Sequence, residues 1–256
     1  MNNEDIRAAL ELWFDNRLEA EIMYGAISNW DTSLVTDMSE LFRGKRKFKE
    51  DISGWNVSKV ESMQEMFFQA FAFNQSLEQW DVSNVKSMER MFFDARAFNQ
   101  PLNQWDVSNV THMEGMFNSA HRFNQSLDQW NVSEVENMEG MFFDARAFNQ
   151  PLNQWNVSNV KTMKDMFRCS LSFDRHHIST FNQSLDLWNV SKVENMEGMF
   201  HRACAFNQSL NQWNVSNVKT MKDMFVLASS FNQPLDQWDV ANVTTMEGMF
   251  SSARAF

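Results

Sequence analysis

Asp174, Arg175, His176 and His177 bring a carboxylate, a guanidinium and two imidazoles into four consecutive positions of this 256-residue chain. Imidazoles ligate zinc or copper, but a structural metal site needs about four converging ligands, and adjacent residues do not easily supply them. These four residues belong to an eight-residue excursion, near 174–181 between Phe173 and Asn182, that interrupts an otherwise regular chain once. They are therefore read as a recognition loop, or as a tolerated insertion, rather than as a metal centre. Neither a metal nor a cofactor is expected. Cys169 and Cys204 fall at different places in their repeat units, which is neither a disulfide framework nor a metal-ligand spacing.

Two further residue types suggest chemistry and are better read as core. Methionine pairs such as Met63 with Met66, Met88 with Met91 and Met246 with Met249 offer soft thioethers, yet their spacing beside phenylalanine makes them deformable filler. Regularly spaced tryptophans could stack on sugar rings, but a valine two residues later shares their side and makes that side the interior. The opposite side is polar. Gln79 and Asp81 recur as Gln104 and Asp106, Gln129 and Asn131, Gln154 and Asn156, each pair followed by a serine. Stacked coil on coil, they form a polar track that either keeps the sheet soluble or receives an extended ligand, such as a glycan or another protein's edge. A Gly-rich phosphate loop, H-E-x-x-H and G-x-S-x-G are all missing, and near-identical units do not build one tuned pocket. No catalysis is expected.

What must position these residues is a tandem array. Trp30, Trp55, Trp80, Trp105, Trp130 and Trp155 stand 25 residues apart, and after the excursion Trp188, Trp213 and Trp238 resume the interval. A fixed period in this range marks a solenoid whose units bury apolar faces against their neighbours. The stretch 92–105 recurs unchanged as 142–155, so the duplication looks recent. In each unit the Leu-x-x-Trp-x-Val segment (Leu77, Trp80, Val82) alternates like a short strand with one buried face. Met88, Met91, Phe92, Ala95 and Phe98 then follow at steps of three, one, three and three, on one side of a helix or of tightly wound turns. Phe98, Asn99, Gln100 and Pro101 supply turn chemistry before the next strand. A 25-residue unit is too short for two helices, so one strand and one helix or helical turn are expected, with the strand side inward on the curve.

The first 29 residues do not repeat. Ile6, Leu10, Trp13, Phe14 and Leu18 share a helical face after Asn3, Glu4 and Asp5, which suits a helix start, and residues 1–29 are read as an amino-terminal cap. At the other end Ser251, Ser252, Ala253, Arg254, Ala255 and Phe256 offer no polar cap, and end-to-end homodimer formation is an expectation there. The formal charge of -11, from 22 basic and 33 acidic residues, argues against a nucleic-acid or anionic-membrane partner. No run of 18 apolar residues suits membrane insertion. Met1 to Asp5 is acidic where an export signal would be basic and then apolar. Frequent Asn-x-Ser sequons on the strand face, where neighbouring glycans would collide, favour a bacterial, viral or intracellular setting.

The consensus W-[DN]-V-S-x-V-x-x-M-x-x-M-F-x-x-A-x-x-F-N-Q, repeated nine times over residues 30–256, closely resembles the mycoplasma-type, BspA-like bacterial surface protein repeat, a family related to leucine-rich repeats. The chain departs from leucine-rich repeats where Val85 replaces the asparagine of their ladder. The resemblance implies interaction modules at cell surfaces and no shared enzymatic activity. The expected fold is thus an α/β repeat solenoid, a curved, right-handed, leucine-rich-repeat-like coil with a short parallel strand and a helix or helical turn per 25-residue repeat and an amino-terminal capping helix. A protein-interaction or structural module is the first functional reading, with a glycan-binding adhesin and a self-associating scaffold as alternatives.

Overall fold

The computed structural model describes residues 1–170 and 179–256. They form a repeat solenoid of nine coils, numbered from their tryptophans, behind an amino-terminal helical segment. Helix α1, Asn3–Asp15, is started by a reciprocal cap: the Asn2 side chain accepts from the Glu4 and Asp5 N–H groups, and Asp5 accepts from the Asn2 N–H at 2.9 Å. Its buried face is Ile6, Ala9, Leu10 and Trp13. Trp13 meets Trp30 edge-on at 5.9 Å, and Phe14 packs against Phe42 and Phe48. Polar groups complete the junction: Asn3 Oδ1 accepts the Thr36 N–H at 2.9 Å, and Arg7 donates to the Ser39 carbonyl at 3.0 Å. The expected single apolar face does not extend to Leu18. The chain turns at Asn16 into a second helix, α2, Arg17–Tyr24, where Leu18 is 70% exposed, and a 3-10 turn over Ile27–Asn29 leads into the first coil.

The repeats depart from the expected strand, and in the other half they take the tightly wound turns that stood as the alternative to a helix. Among the described residues no helix follows Asn29. The methionine–phenylalanine stretch is a series of turns in which alternate N–H groups fold back three residues: Met91 to Met88, Phe93 to Arg90 and Ala95 to Phe92, at 3.0–3.1 Å. The N–H groups between them point out of the coil. Met88, Arg90, Phe92 and Asp94 donate to the His112, Glu114, Met116 and Asn118 carbonyls of the next coil, at 2.6–2.9 Å. This alternation satisfies the backbone without a helix, because each N–H that would bond within a helix finds its acceptor in a neighbour. It requires left-handed backbone at Arg90 (φ 51) and Asp94 (φ 55), and most of the equivalent residues of other coils share it.

Glycine supplies that conformation at Gly115, Gly140, Gly198 and Gly248. At Gly198 (φ 61) an added Cβ would also strike the Asp165 carboxylate of the preceding coil, which accepts from Arg168. Gly198→Ala should therefore lower stability by about 2 kcal/mol, at the upper end of the left-handed penalty. Gly44→Ala, in open space at φ 70, should lose less. Urea unfolding of the pair checks this, and equal losses would remove the role given to Asp165.

The Leu-x-x-Trp-x-Val segment is not a strand. The Trp80 N–H folds back to Leu77 O at 3.0 Å and the Val85 N–H to Val82 O at 2.9 Å, so the alternation of side chains comes from successive turns. Parallel pairing occurs instead just before the first methionine, as single-residue bridges running Asp37, Ser62, Ser87, His112, Asn137, Thr162, Asn195, Thr220 and Thr245. The core is as expected. Trp80, Met88, Met91, Phe92, Ala95 and Phe98 are buried, with equivalents in other coils. Phenylalanines stack along the axis in two columns, with centroids 5.4–5.8 Å apart in the one through Phe92 and 5.8–6.1 Å in the one through Phe98. After the excursion the second column resumes at Phe181, 6.1 Å from Phe148.

Candidate interaction faces of the coil stack

On the tryptophan side the polar groups mostly join coils or close turns. From Trp55 onward each tryptophan Nε1 reaches back a full coil, as Trp105 does to Leu77 O at 2.9 Å and Trp130 to Leu102 O at 2.9 Å. An asparagine ladder is present, displaced from the position held by Val85 to the Phe-Asn-Gln step. Asn74 Oδ1 accepts the Asn99 N–H at 2.8 Å, Asn99 that of Asn124 at 2.9 Å, and Asn124 that of Asn149 at 2.9 Å. Gln100, Gln125 and Gln150 donate to the same asparagines. The recurrence of Phe-Asn-Gln in the repeats was the signal for it.

Gln79, Gln104, Gln129 and Gln154 are exposed, as are Asp81, Asp106, Asn131 and Asn156. They do not build the expected ladders between coils. Asp81, Asp106, Asn131 and Asn156 each accept from the serine N–H two residues on, at 3.0–3.2 Å, closing a turn within their own coil. The Ser108 hydroxyl and N–H hold the Asp106 carboxyl below its usual range. Gln104, Asp106, Gln129 and Asn131 do come together, with Asn103 and Trp105, around one open groove. Asp174, Arg175, His176 and His177 lie outside the described residues.

The turn side varies from coil to coil. The residue after the core phenylalanine is Phe68, Phe93, Asn118, Phe143 and Arg168 in coils two to six, and the N–H to carbonyl bonds between coils place these five in one column. Phe68 stacks on Phe93 at 4.6 Å, the Arg43 guanidinium lies 5.0 Å from the Phe68 ring, and Arg168 lies 5.8 Å from Phe143. Charge pairs cross the same face, including Arg90 with Glu114 at 3.0 Å and Lys164 with Glu139 at 3.3 Å. A pocket of about 370 Å³ opens here between Phe93 and Phe143. Consensus reasoning missed this face because averaging the repeats removes the positions at which they differ.

Behind it lies a buried polar knot. Asp144, 5% exposed, accepts from Arg146 at 2.8 Å, the Ser170 N–H at 3.0 Å and the Cys169 thiol at 3.4 Å, and its Oδ2 lies 3.2 Å from His121 Nε2. Burial raises its pKa more than any one partner lowers it, but His121, Arg146 and Ser170 together hold the carboxyl well below the carboxylate range. Burial, with the Asp144 charge beside it, pushes the Cys169 thiol up to about 11. A carboxylate between thiol and imidazole, with the thiol kept protonated, is not a nucleophile and its base. The knot is a brace tying coils four, five and six.

Five cations fall within the seven residues 43–49, a local basic run that the net charge conceals. Lys45, Arg46 and Lys47 line an open pocket with Trp13, Phe14 and Arg17 beside α1. Glu50 shares that pocket and accepts from Arg17 at 3.0 Å. Among the described residues no helix is long and apolar enough to cross a membrane.

A family model described as "Mycoplasma protein of unknown function, DUF285" matches the chain over residues 9–121, 99–179 and 169–256. No curated protein matches it. Among solved structures the chain is similar to a leucine-rich repeat protein from Bacteroides ovatus ATCC 8483, at 12% identity and a TM-score of 0.25, covering 86% of this chain and 69% of that one. The family matches run in overlapping segments along the coils just described, and the chain belongs to this mycoplasma repeat family.

Proposed function

We propose that the chain is a non-enzymatic protein-interaction module that presents the turn side of its coils to a partner. The observation that supports this reading is a division of labour within each repeat. Tryptophan, asparagine and glutamine recur because they join coil to coil, whereas the column through Phe93 and Asn118 changes residue by residue over the same backbone. A rigid scaffold with a varied surface is what specific recognition requires.

Ring spacings also favour the turn side as the inner face of a curved stack. Neighbouring coils lie 4.6 Å apart at Phe68 and Phe93, 5.4 Å at Phe42 and Phe67, and 6.2–6.4 Å at the tryptophans. Such a gradient bends the stack around the turns. It favours the outer side for the Gln79 and Asp81 track, where the strand-inward reading had it on the inner side. An inner face lets a partner touch several coils at once, and binding energy accumulates over such an area.

Peptides selected from a random display library on the folded chain test the reading, with photo-crosslinkers placed at Phe93 or at Gln104. Enriched peptides that crosslink from position 93 and not from position 104 support it. A blank selection beside a positive glycan array would overturn it in favour of an adhesin, and a mass in solution that rises with concentration would favour a self-associating scaffold.

A further inference from the structure

The first coil breaks the repeat with cations. Lys45, Lys47 and Lys49 stand where coil two carries Ala70, Ala72 and Asn74. Ala70 is core and Asn74 begins the asparagine ladder, so two of these exchanges give up a packing or coil-joining group for a charge. Polar cover for an end coil is served by charges of either sign, whereas like charges side by side repel one another.

On the turn side of later coils the charges are matched within the chain, Arg90 with Glu65 and Glu114, and Lys164 with Glu139. The pocket beside α1, of about 490 Å³, is different. Its lining carboxylate, Glu50, is taken up by Arg17 at 3.0 Å. Lys45, Arg46 and Lys47 line the same pocket, and among the described residues none of the three has a carboxylate within ion-pair distance. Lys45 Nζ lies 4.1 Å from the Phe14 ring and the Arg46 guanidinium 5.0 Å from the Phe71 ring. A ring face steadies a cation without cancelling its charge. Arg46 and Lys47 are exposed and Lys45 is half-buried, so the pocket is open and cationic in a chain of net charge -11.

We infer that this pocket receives a glutamate- or aspartate-bearing segment of a partner protein lying along the turn side; the inference rests on the interaction-module reading. Ammonium and guanidinium groups hold carboxylates by charge-assisted hydrogen bonds. Arg43, which lies over Phe68 at the start of the turn-side column, directly precedes the pocket's Gly44, so a partner seated on that column reaches the pocket. The pocket's aromatic wall favours a peptide over nucleic acid: Trp13 and Phe48 are buried and Phe14 is half-buried under Lys45, which leaves no open ring for a base to stack on. The acidic balance of the whole chain also repels a long phosphate backbone more than a short acidic segment.

Fluorescence anisotropy with labelled Gly-Glu-Leu-Glu-Gly, its lysine analogue and a short oligothymidine tests the inference. The glutamate peptide should bind at low salt and weaken as salt rises, and the lysine peptide should not bind. Arg46→Gln combined with Lys47→Gln should weaken the glutamate peptide about tenfold, the equivalent of two exposed ion pairs. Neither side chain makes a hydrogen bond or ion pair among the described residues, so the fold is retained. Lys161→Gln combined with Lys219→Gln removes the same charge from distant coils and should leave binding unchanged. Equal losses in the two double variants, or no binding by the wild type, would overturn the site. Oligothymidine that binds more tightly than the peptide, and is lost with Arg46 and Lys47, would overturn it in favour of a phosphate backbone. If the glutamate peptide fails to bind while the display library still yields ligands crosslinked at position 93, the acidic-segment site is wrong and the module stands; a blank library removes both.

Discussion

Phe117→Ala should destabilise the chain by about 3–5 kcal/mol, the range for truncating a fully buried aromatic. Phe117 has no exposed surface and sits at a junction of contacts, 4.0 Å from Phe123 in its own coil, 5.7 Å from Phe92 in the coil before and 5.7 Å from Phe142 in the coil after. Removing the ring opens a cavity shared by three coils, and the turns around it are held by hydrogen bonds that cannot shift without breaking. Stability in a solenoid is close to a sum over units and their interfaces, so a central lesion weakens two interfaces at once. Guanidinium unfolding should show either a large drop in midpoint or a transition split into two segments. Phe256→Ala removes a ring that is 53% exposed, and it should cost about 1 kcal/mol or less. Similar losses at the two positions would show that the coils do not share one core.

Asp144→Asn should be the next most damaging change, by about 3 kcal/mol, because it leaves Arg146 without its buried counter-charge and weakens the contact with His121. The pH dependence gives a sharper test. The folded-state carboxyl lies below its usual range, so the unfolded chain takes up the proton first as pH falls. The stabilisation is complete above about pH 4, the unfolded carboxyl value, and declines below it towards the folded value. Wild type and Asp144→Asn should therefore differ most near neutrality and converge as acid is added. A gap that stays constant from pH 7 to pH 3 would mean that the lost contacts are not ionic. Asp106, depressed by Ser108 but exposed, should give a far smaller effect when changed to asparagine.

These effects were legible in the sequence to different degrees. Burial of Trp80, Met88, Met91, Phe92 and Phe98 follows from residue type and spacing alone, since apolar groups at steps of three and four must share a side whatever the backbone does. That is also why spacing alone left a helix and tightly wound turns as alternatives. Successive turns closed by bonds three residues back place side chains much as a helix does, and the difference lies in where the intervening N–H groups go. Gly115, Gly140, Gly198 and Gly248, recurring at one repeat position, were the visible hint of left-handed backbone. The asparagine ladder was missed because it was sought at Val85, and the Asp144 knot because His121, Asp144 and Ser170 lie in three different repeats.

The candidate surface shows the same limit. Gln104, Asp106, Gln129 and Asn131 attracted attention by recurring, yet Asp106 and Asn131 close turns within their own coils. The pocket beside Asn118 falls instead at an exception to a column of rings, and it takes shape only when coils three, four and five are side by side.

From the sequence alone came the period, the core-facing side chains, the acidic balance and the stacked character of the chain, because each depends on residue type and short-range spacing. Tertiary structure decided that the coils are built of turns, with no strand in the Leu-x-x-Trp-x-Val segment, and which polar groups join them. The reason is physical: a backbone N–H is satisfied equally by a carbonyl three residues back or by one in the next coil, and only the packed stack determines which of the two is within reach.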